Sequence, residues 1–454
     1  MLLRQHYLEC LSQASYLVAD ETTGRAVVVD PRRDVDELLA ECAARGLRVE
    51  GVVNTHFHAD FVAGHLEVAA ATGAWIGYGR RAVTEYPIRR LADGDTIVLG
   101  EVTLTIIETP GHTPESVCLV VRERADAPPH AVLTGDTLFV GDVGRPDLLA
   151  SAGTSAEELG AMLYASVQRL LALPDDVLVY PAHGAGSSCG KNLSTARHST
   201  IGEQRRTNYA CQPMSEQEFV ALVTDGQKSA PGYFAFAAAL NKQARPLFAQ
   251  AADVPTLGWA AVRAALAEGV VTLDARDADS FAGGHLPGAV NVPLDGRFAE
   301  TAGTVLRPDE PVLVVAPQGR EAEVVTRLAR VGFDAIRGVA AAPLPADALT
   351  RTSRIDAAEL RERLAAPDAP LLLDVRNCGE RENGALIEAA RHIPLAELPQ
   401  RLAEVPTDRP IVVHCAGGYR SSVAASLLRR AGVGAPVTDL RGGFAAWSAA
   451  SPVT

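Results

Sequence analysis

Apolar residues come in short bursts through the first half of the chain. Ala14-Ser15-Tyr16-Leu17-Val18-Ala19 and Ala26-Val27-Val28-Val29-Asp30 read as strands, Val35 to Arg45 repeats at helical spacing, and Val49-Glu50-Gly51-Val52-Val53 reads as a further strand. Strands follow at Ile97-Val98-Leu99, Val102 to Ile107, Val117-Cys118-Leu119-Val120-Val121, Ala131-Val132-Leu133-Thr134 and Val177-Leu178-Val179-Tyr180. Many strands and few long helices predict two sheets packed face to face and flanked by helices. A stretch rich in Ala, Gln and Pro, about 242–255, divides residues 1–250 from the remainder.

The remainder is an internal repeat with a period near 100 residues. Leu273-Asp274-Ala275-Arg276 recurs as Leu373-Asp374-Val375-Arg376, Val312-Leu313-Val314-Val315 as Ile411-Val412-Val413, and Arg337-Gly338 as Arg441-Gly442. Two copies of one α/β domain, at 256–345 and 352–454, are expected. The order strand, loop, strand, loop, helix gives each a mainly parallel sheet with its site at the carboxyl ends of the strands.

Chemistry gathers where apolar runs end. Thr55-His56-Phe57-His58-Ala59-Asp60 follows one strand, and Pro110-Gly111-His112-Thr113, Thr134-Gly135-Asp136-Thr137 and Pro181-Ala182-His183-Gly184 follow later runs. Alternating imidazoles and a carboxylate at a strand end can converge on one small volume, as a metal site requires. Four such endings in one domain are hard to explain as packing.

Composition narrows the setting more than the chemistry. At 454 residues, 47% hydrophobic and 21% charged, the chain has room for about three cores. A formal charge of -13 disfavours nucleic acid and anionic membranes as partners. Seven scattered cysteines without a Cys-x-x-Cys pair suit a reducing compartment. No run approaches the ~20 apolar residues of a membrane span, and Met1 to Asp20 lacks a signal-peptide core. A cytoplasmic protein is expected, as a homo-oligomer.

The set His56, His58, Asp60, His112, Asp136 and His183 resembles the metallo-β-lactamase superfamily across most of residues 50–190. Within it, Thr-His-Phe-His-Ala-Asp, Pro-Gly-His-Thr, Thr-Gly-Asp-Thr-Leu and Pro-Ala-His-Gly resemble the persulfide dioxygenases. The resemblance implies an αββα sandwich and one Fe(II) per chain held by His56, His112 and Asp136, with no organic cofactor. Two imidazoles and a carboxylate on one face of an octahedral ion leave three positions open, enough for O₂ and a persulfide. Two-metal members follow the motif's Asp with a second-site His, whereas this chain has Phe61. His58, Asp60 and His183 are then either partners that fix the ligand imidazoles or the remnant of a second metal site. Cys189, in Gly186-Ser187-Ser188-Cys189-Gly190-Lys191, is a candidate thiol facing the site. Arg145, with Arg197, Arg205 and Arg206, is a candidate for the carboxylates of a thiol carrier, solvated surface charge being the plainer reading of each.

Cys415-Ala416-Gly417-Gly418-Tyr419-Arg420-Ser421 lies between a strand and a helical run. A thiol there sits in a ring of backbone N–H groups, with the helix dipole and Arg420 adding positive potential. This loop resembles the rhodanese family, as do Leu373 to Arg376, Ile393-Pro394 and Arg441 to Trp447. Tyrosine phosphatases separate Cys from Arg by five residues; here four intervene, which favours sulfane sulfur over phosphoryl transfer. The first repeat has Ala316-Pro317-Gln318-Gly319-Arg320 in place of the loop, without a cysteine, so a scaffolding or docking role is expected of it.

The whole order resembles bacterial persulfide dioxygenase and sulfurtransferase fusions. It implies oxidation of glutathione persulfide, or a similar thiol persulfide, with O₂ to sulfite, coupled through Cys415 to thiosulfate in either direction. The alternatives are a glyoxalase II-type zinc thioester hydrolase fused to a sulfur-carrier module, and a rhodanese pair that only docks sulfur carriers.

Overall fold

The computed structural model describes residues 1–148, 153–227, 229–248, 253–382 and 384–450. Residues 249–252 of the Ala-, Gln- and Pro-rich stretch lie outside them. The chain divides into two compact units, Met1–Ala230 with Phe234–Phe248, and Pro231–Tyr233 with Ala249–Thr454.

The first unit holds two six-stranded sheets, each with its strands in sequence order. One runs Leu2–Leu8, Gln13–Asp20, Arg25–Val29, Arg48–Val53, Trp75–Gly79 and Arg89–Leu91. Its first three strands pair antiparallel and the rest parallel. The other runs Thr96–Val98, Thr103–Glu108, Val117–Arg122, Ala131–Gly135, Leu178–Pro181 and Ser199–Thr200. Between the sheets, Tyr16, Val18, Val27, Val29 and Val53 meet Leu104, Ile106, Leu119, Val121 and Leu133. The opposite faces are also buried: Leu17, Val28 and Val52 lie with Leu38, Cys42 and Val68 of the helices Asp36–Ala44 and His65–Thr72. Cys118, Val120 and Val132 lie with Leu163, Val167 and Leu170 of Ala156–Leu171. Burial of both faces explains why Gln13–Asp20 is buried at every position rather than alternately. The result is the expected αββα sandwich.

The strand Leu2–Leu8 and the helix Ala156–Leu171 are absent from the pattern-based reading. The strand is half-buried along most of its length and mixes Arg4, Gln5 and His6 with its apolar residues. The helix carries a capping box, with the Ser155 side chain accepting from the Glu158 N–H and the Glu158 carboxylate from the Ser155 N–H.

His65, at the start of its helix, is fully buried between Tyr86 and Tyr78, with ring centroids 5.0 and 5.8 Å away. Neither ring nitrogen has a hydrogen-bond partner among the described residues. Burial, with the Arg245 guanidinium nearby, holds its pKa well below the ordinary 6.5. In the unfolded chain this imidazole takes up its proton as the pH falls through about 6.5, while the folded one stays neutral. Its stabilising effect is therefore complete above that pH and is lost below it, at up to about 1.4 kcal/mol per pH unit. His65→Phe is expected to flatten the loss of stability between about pH 7.5 and about pH 5.5 in denaturant titrations. Equal slopes in the two proteins would contradict this.

The second unit holds two five-stranded sheets of identical order and parallel pairing throughout. One is Thr256–Leu257, Ile336–Ala340, Val312–Val315, Val271–Asp274, Val290–Asn291, and the other Arg354–Ile355, Val437–Leu440, Ile411–His414, Leu371–Asp374, Arg391–His392. The repeat extends to side chains: Arg276 forks onto Asp274, and Arg376 onto Asp374.

Candidate functional site

The first site forms where strands of both sheets end, and hydrogen bonds fix its tautomers. Thr55 Oγ1 donates to Asp30 Oδ2 at 2.9 Å, leaving its oxygen to accept from His56 Nδ1 at 3.0 Å. His112 Nδ1 donates to the Arg145 carbonyl at 2.8 Å. Both imidazoles thus carry their proton on Nδ1, and each turns a bare Nε2 toward Asp136 Oδ2, at 3.7 and 3.4 Å. All three side chains are buried, and His56 Nε2 and Asp136 Oδ2 have no hydrogen-bond partner among the described residues. Burial works against the charge on Asp136, but His183 holds its carboxyl well below the usual range. Converging lone pairs without protons between them are costly unless something positive sits among them. One donor atom from each residue lies within 4.8 Å of the other two, so this donor set fits a metal ion. Gly144 is required here, since a Cβ on it would lie 1.9 Å from the Asp136 carbonyl oxygen and 3.1 Å from the His112 ring.

The other three residues of the set pair with one another or with Asp30 and Asp136. His58 Nε2 lies 2.9 Å from Asp30 Oδ1, and its ring lies tilted at 34° against Phe61, with centroids 4.3 Å apart. His183 has carboxylates on both sides, with Nδ1 2.8 Å from Asp136 Oδ1 and Nε2 2.7 Å from Asp60 Oδ2. Burial lowers the His183 pKa, yet these two charges hold it well above its ordinary value. Cys189 joins Asp60 and His183 in a second buried group with donor atoms within 4.8 Å of one another. Burial pushes its thiol pKa well up, so the protonated form is favoured.

The second site is the loop after Ile411–His414. Cys415 is buried, its Sγ accepting from the Gly418 N–H at 3.1 Å and lying 3.6 Å from Ser421 Oγ. Gly418, in the left-handed region at φ 93°, turns the chain into the helix Tyr419–Arg430. The start of the helix Gly443–Ala449 braces the loop from behind, with Phe444 N–H donating to the Cys415 carbonyl and Ala445 N–H to that of Ala416. A Cβ on Gly443 would stand 2.4 Å from the Cys415 carbonyl oxygen, and its φ is 56°. Arg420 forks onto Glu380 at 2.6 and 2.7 Å.

Comparison with known proteins places these two sites in a family. Residues 8–183 match the metallo-β-lactamase superfamily, and residues 259–339 and 356–450 each match the rhodanese-like domain. The mitochondrial persulfide dioxygenase of Homo sapiens is 30% identical over 244 residues, covering 53% of this chain and 87% of the human protein. The chain belongs to the metallo-β-lactamase superfamily. It is a fusion of the persulfide dioxygenase type, with two rhodanese-like domains after the metallo-β-lactamase domain. A hydroxyacylglutathione hydrolase of a Polaromonas species is 35% identical over 175 residues, 37% of this chain, and the chain spans only 61% of that protein's length. The crystal structure of a metallo-β-lactamase from Staphylococcus aureus matches with a TM-score of 0.67 at 31% identity, covering 74% of this chain and 98% of that one.

In this metallo-β-lactamase/rhodanese fusion, Arg145 is not the solvated surface charge of its plainer reading. Its side chain is 3% exposed, its fork is occupied by Asp147 at 2.7 and 2.6 Å, and its carbonyl orients His112. Arg197, Arg205 and Arg206 are exposed and pair with Glu9, Asp175 and Glu203. The first rhodanese-like repeat has a cavity of about 320 Å³ at its strand ends, lined by Arg276, Asp277, Pro317, Gln318 and Arg320 among others. It also braces the cysteine-bearing repeat: Tyr419 O–H donates to the Pro293 carbonyl, and Asn291 N–H to Ser426 Oγ, both at 2.9 Å.

Three supporting residues escaped the sequence reading. Asp30 accepts from the Thr55 N–H at 2.7 Å and partners His58, in a left-handed conformation at φ 51° that is rare outside glycine. Glu115 accepts from the Phe57 N–H at 2.9 Å. Asn241 holds the carbonyls of His58 and Phe61 and the N–H of Ala63. Asp30 ends a recognisable strand and so left a trace in the pattern; Asn241 acts from about 180 residues away and left none.

Proposed function

We propose that the first unit is a mononuclear non-haem iron persulfide dioxygenase and that Cys415 is a rhodanese-type sulfur carrier, in a cytoplasmic enzyme of sulfide detoxification. The observation that carries the first half is the pair of bare Nε2 atoms and the unpartnered Asp136 Oδ2 converging in one buried place. Fe(II) held by His56, His112 and Asp136 would supply activation of O₂ toward a sulfane sulfur. The balance is one persulfide, one O₂ and one water giving the thiol and sulfurous acid, which ionises to sulfite. The chain's own part is orientation: Thr55 and the Arg145 carbonyl fix the two imidazoles, and His183, fastened to Asp60, holds the other oxygen of Asp136. Phe61, where two-metal members carry a second-site histidine, supports one metal rather than two.

At Cys415, the thiolate attacks the terminal sulfur of a persulfide or thiosulfate, and the departing thiolate or sulfite takes the electron pair. The Gly418 N–H and the positive end of Tyr419–Arg430 favour the sulfur anion before and after transfer. Attack of sulfite on the loaded sulfur returns the electron pair to Cys415 and releases thiosulfate.

Protein purified without oxygen is expected to hold about one iron per chain and to consume O₂ only when a persulfide is added. The second reading, a zinc thioester hydrolase, draws on the likeness to the Polaromonas hydroxyacylglutathione hydrolase. Two zinc ions per chain and thioester cleavage without O₂ uptake would establish it instead.

A further inference from the structure

Arg420 is the one cation that the cradle sequence supplies, and its charge is already answered. Both oxygens of Glu380, on the short helix Cys378–Glu382, take its two terminal nitrogens. Glu380 is steadied by the Asn377 N–H, which donates to Oε2 at 2.9 Å. Arg420 lies within electrostatic reach of Cys415, and the pair is partly open to solvent, the side chains being 25% and 36% exposed. A guanidinium fork accepts two oxygens of a sulfur oxyanion by the same geometry as two oxygens of a carboxylate.

The cysteine-less repeat provides an internal control. One hundred residues before Glu380 stands Ser280. Arg320, the counterpart of Arg420, turns to Glu323 of its own helix at 2.8 and 3.0 Å, and to Asp295 at 2.8 Å. The position matching Glu323 in the cysteine-bearing repeat is Val423. Where there is no thiol, a carboxylate of the arginine's own helix takes two of its nitrogens and Asp295 the third. Where there is one, the counter-ion is Glu380 of a separate segment, and its displacement would free two donors of Arg420.

We propose that Glu380 is a built-in competitor for oxyanions at Arg420, setting how Cys415 discriminates between anionic and neutral sulfur acceptors. Sulfite must displace the carboxylate to reach the arginine, whereas a neutral thiol need not. The inference rests on Cys415 as the sulfur carrier. The transfer it modulates forms the bond between sulfite and the terminal sulfur, breaks the Cys415 S–S bond and leaves the electron pair on Cys415.

The test uses the full chain and its Glu380→Gln variant. Each is first treated with thiosulfate, and the gain of one sulfur atom on Cys415 is read by mass spectrometry. Turnover is then followed without oxygen, with glutathione persulfide as sulfur donor and sulfite or dithiothreitol, a neutral thiol, as acceptor, giving thiosulfate or, from dithiothreitol, its disulfide and sulfide. In the variant the KM for sulfite should fall about tenfold, with kcat and the dithiothreitol rate within about twofold of the parent. An unchanged or raised sulfite KM with a normal dithiothreitol rate would overturn the proposal. So would loss of both activities, which would make Glu380 a brace of the cradle. Failure of the parent protein to gain sulfur on Cys415 would strike the carrier reading itself, and the proposal with it.

Discussion

Cys415→Ser is expected to abolish sulfane-sulfur loading and thiosulfate formation, by about a thousandfold or more, while persulfide-dependent O₂ uptake stays near the parent rate. The hydroxyl is nearly isosteric, and the bond from the Gly418 N–H has an oxygen to meet instead of sulfur. What disappears is the nucleophile, because an alcohol does not ionise where a thiol does and cannot carry sulfane sulfur. The split between the two activities is the informative readout, since Cys415 and the metal-site residues lie in different compact units. Unchanged thiosulfate yield would show that the rhodanese-like pair only docks sulfur carriers.

Asp136→Asn is expected to lower the iron content from about one per chain to near zero and to remove O₂ uptake with it. Asp136 contributes the one negative charge of the three-donor set, and an amide cannot replace it as a ligand for a hard cation. The substitution also disturbs His183, which then keeps only the Asp60 carboxylate of its two. Loss of affinity should exceed the ten- to hundredfold typical of removing a residue that merely orients a ligand. His58→Ala provides the contrast: its Nε2 is spent on Asp30, so that variant should retain most of its iron. Iron bound at parental levels in Asp136→Asn would reject the triad. Far-ultraviolet circular dichroism and the thermal unfolding transition, measured on the same samples and matching the parent's, confirm that the unit holding Asp136 is folded.

The metal-site candidates were legible because each ends an apolar run, and a strand end is a place the pattern itself marks. The same logic exposed Cys415, where a strand gives way to glycines and then to a helix. Arg145 shows the limit of such reading: a charged residue in a Gly-Arg-Pro-Asp turn looks solvated until Asp147 and the His112 ring are seen around it. Glu380 shows it again, as no local feature of Asn377-Cys378-Gly379-Glu380 indicates that its partner is Arg420, forty residues on.

By itself the sequence determined the architecture: the period of its apolar runs, the hundred-residue repeat and the residue types at strand ends all act locally, and local spacing fixes which face or end of an element a side chain occupies. Only the tertiary structure decided the partners. Which tautomer His56 and His112 hold, which carboxylates enclose His183, and which anion answers Arg420 depend on groups brought together from distant parts of the chain. A lone pair or a charge is satisfied by whatever lies within about 3 Å, and sequence distance carries no record of that.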